Sequence, residues 1–260
     1  VAQIVDGNGW HTLFPGVNEY VVSNDVGSVK GLTAYPDAGY YRYSNNIYTL
    51  YIYVNPTGHV PGWSHGHADI GNFILYWKDR SVLIGTGRSS YRDTPEGRYG
   101  RSVRSHNAIA VDGREPCIVH GLNGIPAAMS QAYLQPPPTV DTDLKNGVLK
   151  ISIAYAGMAR WIDSGEVRRE FECQPEELVI SDAVHGKGRH QIDTYFQIPG
   201  YYHLTSDGHC LKMHDKDFAL SLDHTQGMEV DTVVGRSGQT PLGWCSGRYG
   251  ELQPIKTLVC

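Results

Sequence analysis

The sequence predicts an all-β protein: a large antiparallel β-sandwich, a super-sandwich of two packed sheets. Three observations lead there. The 30 Gly and 14 Pro among 260 residues, together with Asn, interrupt nearly every window in which a helix would need its 3.6-residue repeat. β-Branched and aromatic residues fill the stretches between, often in alternation. Turn dipeptides of the kind hairpins require recur at Asp112-Gly113, Asn146-Gly147, Lys187-Gly188 and Asp207-Gly208.

In chain order, residues 1–34 are the least regular part. Because the chain begins at Val1 rather than Met, they read as a linker, or the tail of an N-terminal domain arriving from upstream. Strands are predicted over 40–54, where tyrosines and aliphatics alternate, then over 72–77, 106–112, 147–155 and 166–173. Further strands follow over 178–184, 190–198, 218–223 and 255–259. Phe218/Leu220/Leu222 and Val167/Phe171 show the period of two that turns one face of a strand inward. Between 86 and 105 lies a long Gly-rich loop carrying Arg88, Arg92, Arg98, Arg101 and Arg104 with Tyr91 and Tyr99, and loops of that length are commonly functional. Pro136-Pro137-Pro138 reads as a stiff spacer.

Composition narrows the function. No stretch approaches the roughly 18 consecutive apolar residues of a membrane span, so no membrane partner is expected. With 22 Lys+Arg against 27 Asp+Glu and a net charge of −5, no basic field is available for a phosphate backbone, and no nucleic-acid partner is expected. Five cysteines without a CxxC pair give no thiolate zinc site. The 17 Tyr, 12 His and 5 Trp suit a protein that stacks on sugar rings or uses phenols and imidazoles chemically.

The sharpest local feature is Trp63-Ser64-His65-Gly66-His67-Ala68-Asp69, directly before an apolar strand. In extended chain, residues two apart face one side, so His65 and His67 point into one space at about 7 Å Cα spacing. One such histidine can hold a metal while the other moves protons. His106, at the head of another predicted strand, can be brought beside them by an antiparallel neighbour, with Asn107 facing the opposite way.

The order of these elements resembles the heparinase II/III-like polysaccharide lyases. His65-Gly-His67-Ala-Asp69 precedes an apolar strand, followed by Val82-Leu83-Ile84-Gly85-Thr86-Gly87, the tyrosine and arginine loop, Arg104-Ser-His106-Asn107 and Val111-Asp112-Gly113. Tyr35-Pro36-Asp37-Ala38-Gly39-Tyr40-Tyr41 is similar to the family's entry strand, and Arg168-Arg169-Glu170-Phe171, Leu178 to Asp182 and Gly186 to His190 to its later strands. Trp244, Ser246, Tyr249 and Gly250 are similar to its closing segment. The resemblance covers residues 35–260 and implies a β-sandwich domain that follows an α/α toroid, here absent, with an acidic polysaccharide or oligosaccharide held between them. It implies β-elimination at a 4-linked uronic acid, and a periplasmic or secreted location. The proton beside the uronate carboxylate is barely acidic until that charge is neutralised; a base and an acid are then needed, which Tyr and His supply.

Carried over by position, His65 is the expected catalytic histidine, with a phenol from Tyr91 or Tyr99. Arg88, Arg92 and Arg101 are the expected grips on uronate carboxylates, because guanidinium forks match them. His67 and His106 are the expected metal ligands, for zinc. One position departs: where the family carries an aspartate that completes the zinc site, this chain has Gly85, leaving Asp69 or Asp112 as substitutes. The alternative expectation is a non-catalytic carbohydrate-binding or structural sandwich.

Overall fold

The structure is a computed structural model; it describes residues 30–54, 66–116, 137–159, 162–163, 165–207 and 209–260. In chain order the first strands are β1 (Gly31–Tyr35), β2 (Tyr40–Ser44), β3 (Tyr48–Tyr53), β4 (Asn72–Trp77), β5 (Arg80–Leu83) and β6 (Ile109–Val111). Next come β7 (Thr139–Lys145), β8 (Val148–Tyr155), β9 (Glu166–Cys173), β10 (Leu178–His185), β11 (Ile192–Ile198) and β12 (His203–Asp207). The last are β13 (Cys210–His214), β14 (Ala219–Asp223), β15 (Asp231–Val234), β16 (Trp244–Cys245), β17 (Gln253–Pro254) and β18 (Lys256–Val259).

The sandwich is antiparallel, and the strands of the described residues form five hydrogen-bonded sheets: β1-β2-β3-β4-β5, β10-β9-β8-β7, β15-β18-β11-β6, β12-β13-β14 and β16-β17. The sheet opens earlier than the boundary at residue 35, because β1 pairs Gly31 with Ser44 through to Tyr35 with Tyr40. The strand expected over 40–54 is a hairpin instead. Asn45 Oδ1 accepts from the backbone N–H groups of Ile47 and Tyr48, each at 2.8 Å, an Asx turn that reverses the chain without a glycine. Asn146-Gly147 turns β7 into β8 with φ of 52° and 81°, the left-handed pair of a type I′ turn.

The core forms where period-two faces meet. Leu50 and Ile52 of β3, Phe73 and Leu75 of β4, Ile151 and Ile153 of β8, and Val167 and Phe171 of β9 belong to one buried cluster. The ring of Phe73 sits edge-on to that of Phe171 at 5.1 Å between centroids, so the first two sheets are locked face to face. Truncating either fully buried ring to Ala costs about 3–5 kcal/mol.

The segment over 86–105 is more ordered than a loop. Helix α1 (Pro95–Tyr99) starts at Thr94, whose hydroxyl accepts from Gly97 N at 3.2 Å, with Pro95 in the first turn where its missing N–H costs nothing. A 3₁₀ turn follows at Val103–Ser105. Thr86 Oγ1 donates to the Ser105 carbonyl at 2.7 Å, while Ser246 N and Gly250 N donate to the carbonyls of Thr86 and Ser89 at 2.6 and 2.7 Å. Gly87 is required there: its φ is +69° and a Cβ would lie 2.5 Å from the Ser246 carbonyl oxygen.

Candidate functional site

The segment entering β4 carries Gly66, His67, Ala68 and Asp69. Arg101 holds it twice, its Nε donating to the Gly66 carbonyl at 2.9 Å and its carbonyl accepting from Ala68 N at 2.9 Å. The third participant, His106, follows the 3₁₀ turn and precedes β6. The two rings meet with His67 Nδ1 and His106 Nε2 3.1 Å apart.

The environment of His106 settles its tautomer. Its Nδ1 lies 2.7 Å from the Ser102 carbonyl, which can only accept, so Nδ1 carries the proton and donates. Nε2 is then left with a lone pair directed at His67. Burial pulls the imidazole down to about 4, the Ser102 bond only partly opposing it, so the ring is neutral at physiological pH. A carbonyl fixing one ring nitrogen while the other presents its lone pair is the usual outer-shell arrangement of a metal-ligating histidine.

Asp69 completes the group. Its carboxylate lies two residues on from His67, past a bend in the chain at Ala68. Among the described residues this is the one trio of His, Cys, Asp or Glu whose donor atoms all lie within 4.8 Å of one another. Asp69 Oδ1 is buried with no hydrogen-bond partner, and burial pushes the carboxyl up to about 7. An orphaned buried carboxylate is costly; a cation between it and two imidazoles removes that cost. For zinc, with Zn–N of about 2.1 Å, tetrahedral ligands sit about 3.4 Å apart, close to the 3.1 Å between His67 Nδ1 and His106 Nε2, with all three donor atoms within 4.8 Å. Gly85 is exposed, with Ile74 Cδ1 3.5 Å from where a Cβ would stand, and Asp69 offers the carboxylate that Gly85 lacks. Asp112 is committed elsewhere, its Oδ2 2.8 Å from His190 Nδ1.

The remaining expected residues divide. His65 lies outside the described residues. Tyr91 is 55 % exposed, stacked on Tyr249 at 6.1 Å between centroids, with the Arg88 guanidinium 4.0 Å from the centroid of its ring. Arg92 is exposed on the same segment. Tyr99, the second candidate phenol, is instead a packing residue: it is 2 % exposed in a small core with Ala68, Val103 and Leu242, and its hydroxyl donates to the Trp244 carbonyl at 3.2 Å. Burial pushes that phenol up to about 12. Arg101 has its Nε bound to the histidine segment rather than presented outward.

Sequence reasoning missed the frame behind the site. Asn107 turns into the core, as its alternation with His106 requires, donating Nδ2 to the carbonyls of Phe73 and Ile84 at 2.6 and 3.1 Å and accepting from Gln197 N at 2.7 Å. Arg169, on the inward face of β9, forks onto Asp182 at 2.7 and 2.8 Å. Its Nη1 donates to the carbonyls of Gly71 at 3.0 Å and Asn107 at 2.6 Å, two residues beyond Asp69 and one beyond His106. One buried nitrogen thus ties together the two segments that carry the trio.

The sequence profile of the family described as heparinase II/III-like, C-terminal, matches residues 28–260. The chain belongs to this family. A search of curated proteins finds no match. Among solved structures, a heparinase III gene product superposes with a TM-score of 0.67 at 14 % identity, covering 97 % of this chain and 37 % of that one. The heparan sulfate lyase HepC from Pedobacter heparinus gives a TM-score of 0.68 at 14 % identity, over 99 % of this chain and 38 % of its own. At such identity the likeness is one of fold, and this heparinase II/III-like chain spans little more than a third of the length of either neighbour.

Proposed function

We propose that this chain is the sandwich portion of a polysaccharide lyase that cleaves 4-linked uronate-containing polymers, of the glycosaminoglycan or alginate kind, by β-elimination, in the periplasm or outside the cell. The observation that carries the reading is the His67–Asp69–His106 trio, built on the segment that also bears His65, in a chain of the heparinase II/III-like family. The C5 proton passes to a base, the C4–O bond breaks, a C4=C5 double bond forms, and the leaving oxygen takes a proton. His65 and the exposed phenol of Tyr91 are the groups assigned to proton transfer, each such transfer supplying on the order of 10²–10⁴ in rate. Arg88 and Arg92 are assigned to the uronate carboxylate, whose neutralisation makes C5–H acidic. His67, Asp69 and His106 would hold zinc, which would supply a structural cross-link at the base of the His65 segment. The rest of the cleft belongs to an N-terminal toroid domain upstream.

With the upstream sequence restored, incubation with a panel of acidic polysaccharides should raise ultraviolet absorbance at the unsaturated-uronate band. His65→Ala should abolish that rise while leaving the unfolding midpoint unchanged; undiminished turnover in this variant overturns the catalytic assignment. Absence of any rise on every polymer supports the second reading, a carbohydrate-binding or structural sandwich.

A further inference from the structure

The three-stranded sheet β12-β13-β14 carries a second histidine pair that plays no part in the site above. His203 on β12 and His214 on β13 are directly opposite in the antiparallel register, so their side chains leave the same face of the hairpin. Their ring centroids are 5.7 Å apart. With a metal–nitrogen bond of about 2.1 Å, each ring centroid lies about 3.2 Å from a shared ion, which puts two rings about 5.3 Å apart at a tetrahedral angle and about 5.6 Å apart at 120°. The pair therefore stands at the separation one ion requires, with no movement of the strands.

The ring nitrogens are also available. His106 and His190 each spend ring nitrogens on protein acceptors, and His224, in the other cross-strand pair of this sheet, places Nδ1 3.3 Å from the Thr225 carbonyl. Neither ring of His203 nor of His214 makes a hydrogen bond with the described residues. Both line a surface cleft of about 530 Å³ with Tyr201, Asp215, Lys216 and Asp217. Asp215 is committed to Arg80 at 2.6 Å and to Asp217 N at 3.0 Å, so the two imidazoles are the protein ligands the cleft offers an ion, and Lys216 is the charge opposing one.

We propose that His203 and His214 form a two-histidine divalent transition-metal site, with water completing the coordination, that clips β12 to β13. Imidazole pairs select zinc, nickel or copper over magnesium or calcium. Because β12 is an edge strand held on one side only, a clip there stabilises the part of the sheet most open to fraying.

The test is calorimetric titration of the full 260-residue chain, stripped with chelator, using zinc chloride and then copper chloride. His67→Ala isolates the second site. In that background the protein should still bind one equivalent, and His203→Ala or His214→Ala should weaken this binding at least tenfold, whereas His209→Ala should leave it unchanged. Both substitutions fall on a hairpin, and weakened binding in either variant supports the site. Isotherms indistinguishable from the His67→Ala parent in both variants overturn the proposal. Loss of binding on His67→Ala alone does so as well, and leaves the zinc assignment at His67–Asp69–His106 standing.

Discussion

Removing the Arg169 side chain tests whether the candidate site is positioned from behind. The guanidinium is 1 % exposed and makes four hydrogen bonds, two to Asp182 and one each to the Gly71 and Asn107 carbonyls. Arg169→Met fills the space but strands a largely buried carboxylate, at about 3–5 kcal/mol for a pair broken from one side. It also orphans two carbonyls, each worth about 1–3 kcal/mol. These terms overlap, so we take about 4–6 kcal/mol in total, a fall in the unfolding midpoint of roughly 8–24 °C for a domain of this size. The double variant Arg169→Met/Asp182→Leu discriminates. It removes the stranded charge and should recover about 3 kcal/mol, since buried ion pairs replaced by apolar residues are often neutral; Thr194, which donates to Asp182 at 3.0 Å, limits the recovery. Zinc affinity should not recover with it, because Gly71 and Asn107 are no longer held to one nitrogen, and we expect at least a tenfold loss by calorimetric titration. A double variant that binds zinc as the wild type does would refute the positioning role and leave Arg169 a stability residue alone.

Two further outcomes follow from titratable groups. The Asp69 carboxyl sits at about 7 in the folded protein, through burial, and in the ordinary carboxylate range when unfolded. Between those values the folded state holds the extra proton, so metal-free protein should lose stability as pH rises from about 4 to about 7, on the order of 3 kcal/mol from this group. Asp69→Asn or saturating zinc should flatten that slope in denaturant titrations; an unchanged slope in Asp69→Asn counts against the burial argument. His190 faces two acceptors, Asp112 Oδ2 and the Lys187 carbonyl, each at 2.8 Å, which both ring nitrogens can serve only as an imidazolium. Its pKa is raised, chiefly by the Asp112 hydrogen bond, so its contribution is complete below the unfolded value of about 6.5 and is lost as pH climbs through the folded one. A proton NMR titration should show that midpoint dropping toward the ordinary imidazole value in Asp112→Asn, and no movement would show that the contact is absent in solution.

What could be read from the sequence depended on whether a residue's neighbours leave a local mark. β9 was legible to the residue because Val167 and Phe171 alternate cleanly on a half-buried strand, whereas β7, almost wholly exposed, has no such face and escaped notice. The run over 40–54 misled because alternation continues through the β2–β3 hairpin, and the reversal rests on one asparagine side chain. At the site, His67 and His106 were visible as types and order, while Asp69 stood level with Asp112 as a substitute ligand until the structure tied Asp112 to His190. The Ser102 carbonyl that sets the His106 tautomer was not visible, since any residue at 102 supplies one. Tyr99 shows the converse, a phenol in a suggestive loop whose position on α1 turns it inward.

Arg169 joins these lessons. On β9 the inward positions are Val167, Arg169, Phe171 and Cys173, so a guanidinium occupies a place that period two reserves for an apolar group. A charge there can persist only if its donors are met, and here they are met by Asp182 on one side and by the backbone of the two ligand-bearing segments on the other. The break in the pattern is therefore informative: a strand that sacrifices apolar burial at one inward position is fixing the chain beyond it. The segments it fixes are those that carry Asp69 and His106. The geometry of the trio is thus set by the sandwich interior, and a buried guanidinium on β9 becomes part of how the site is built.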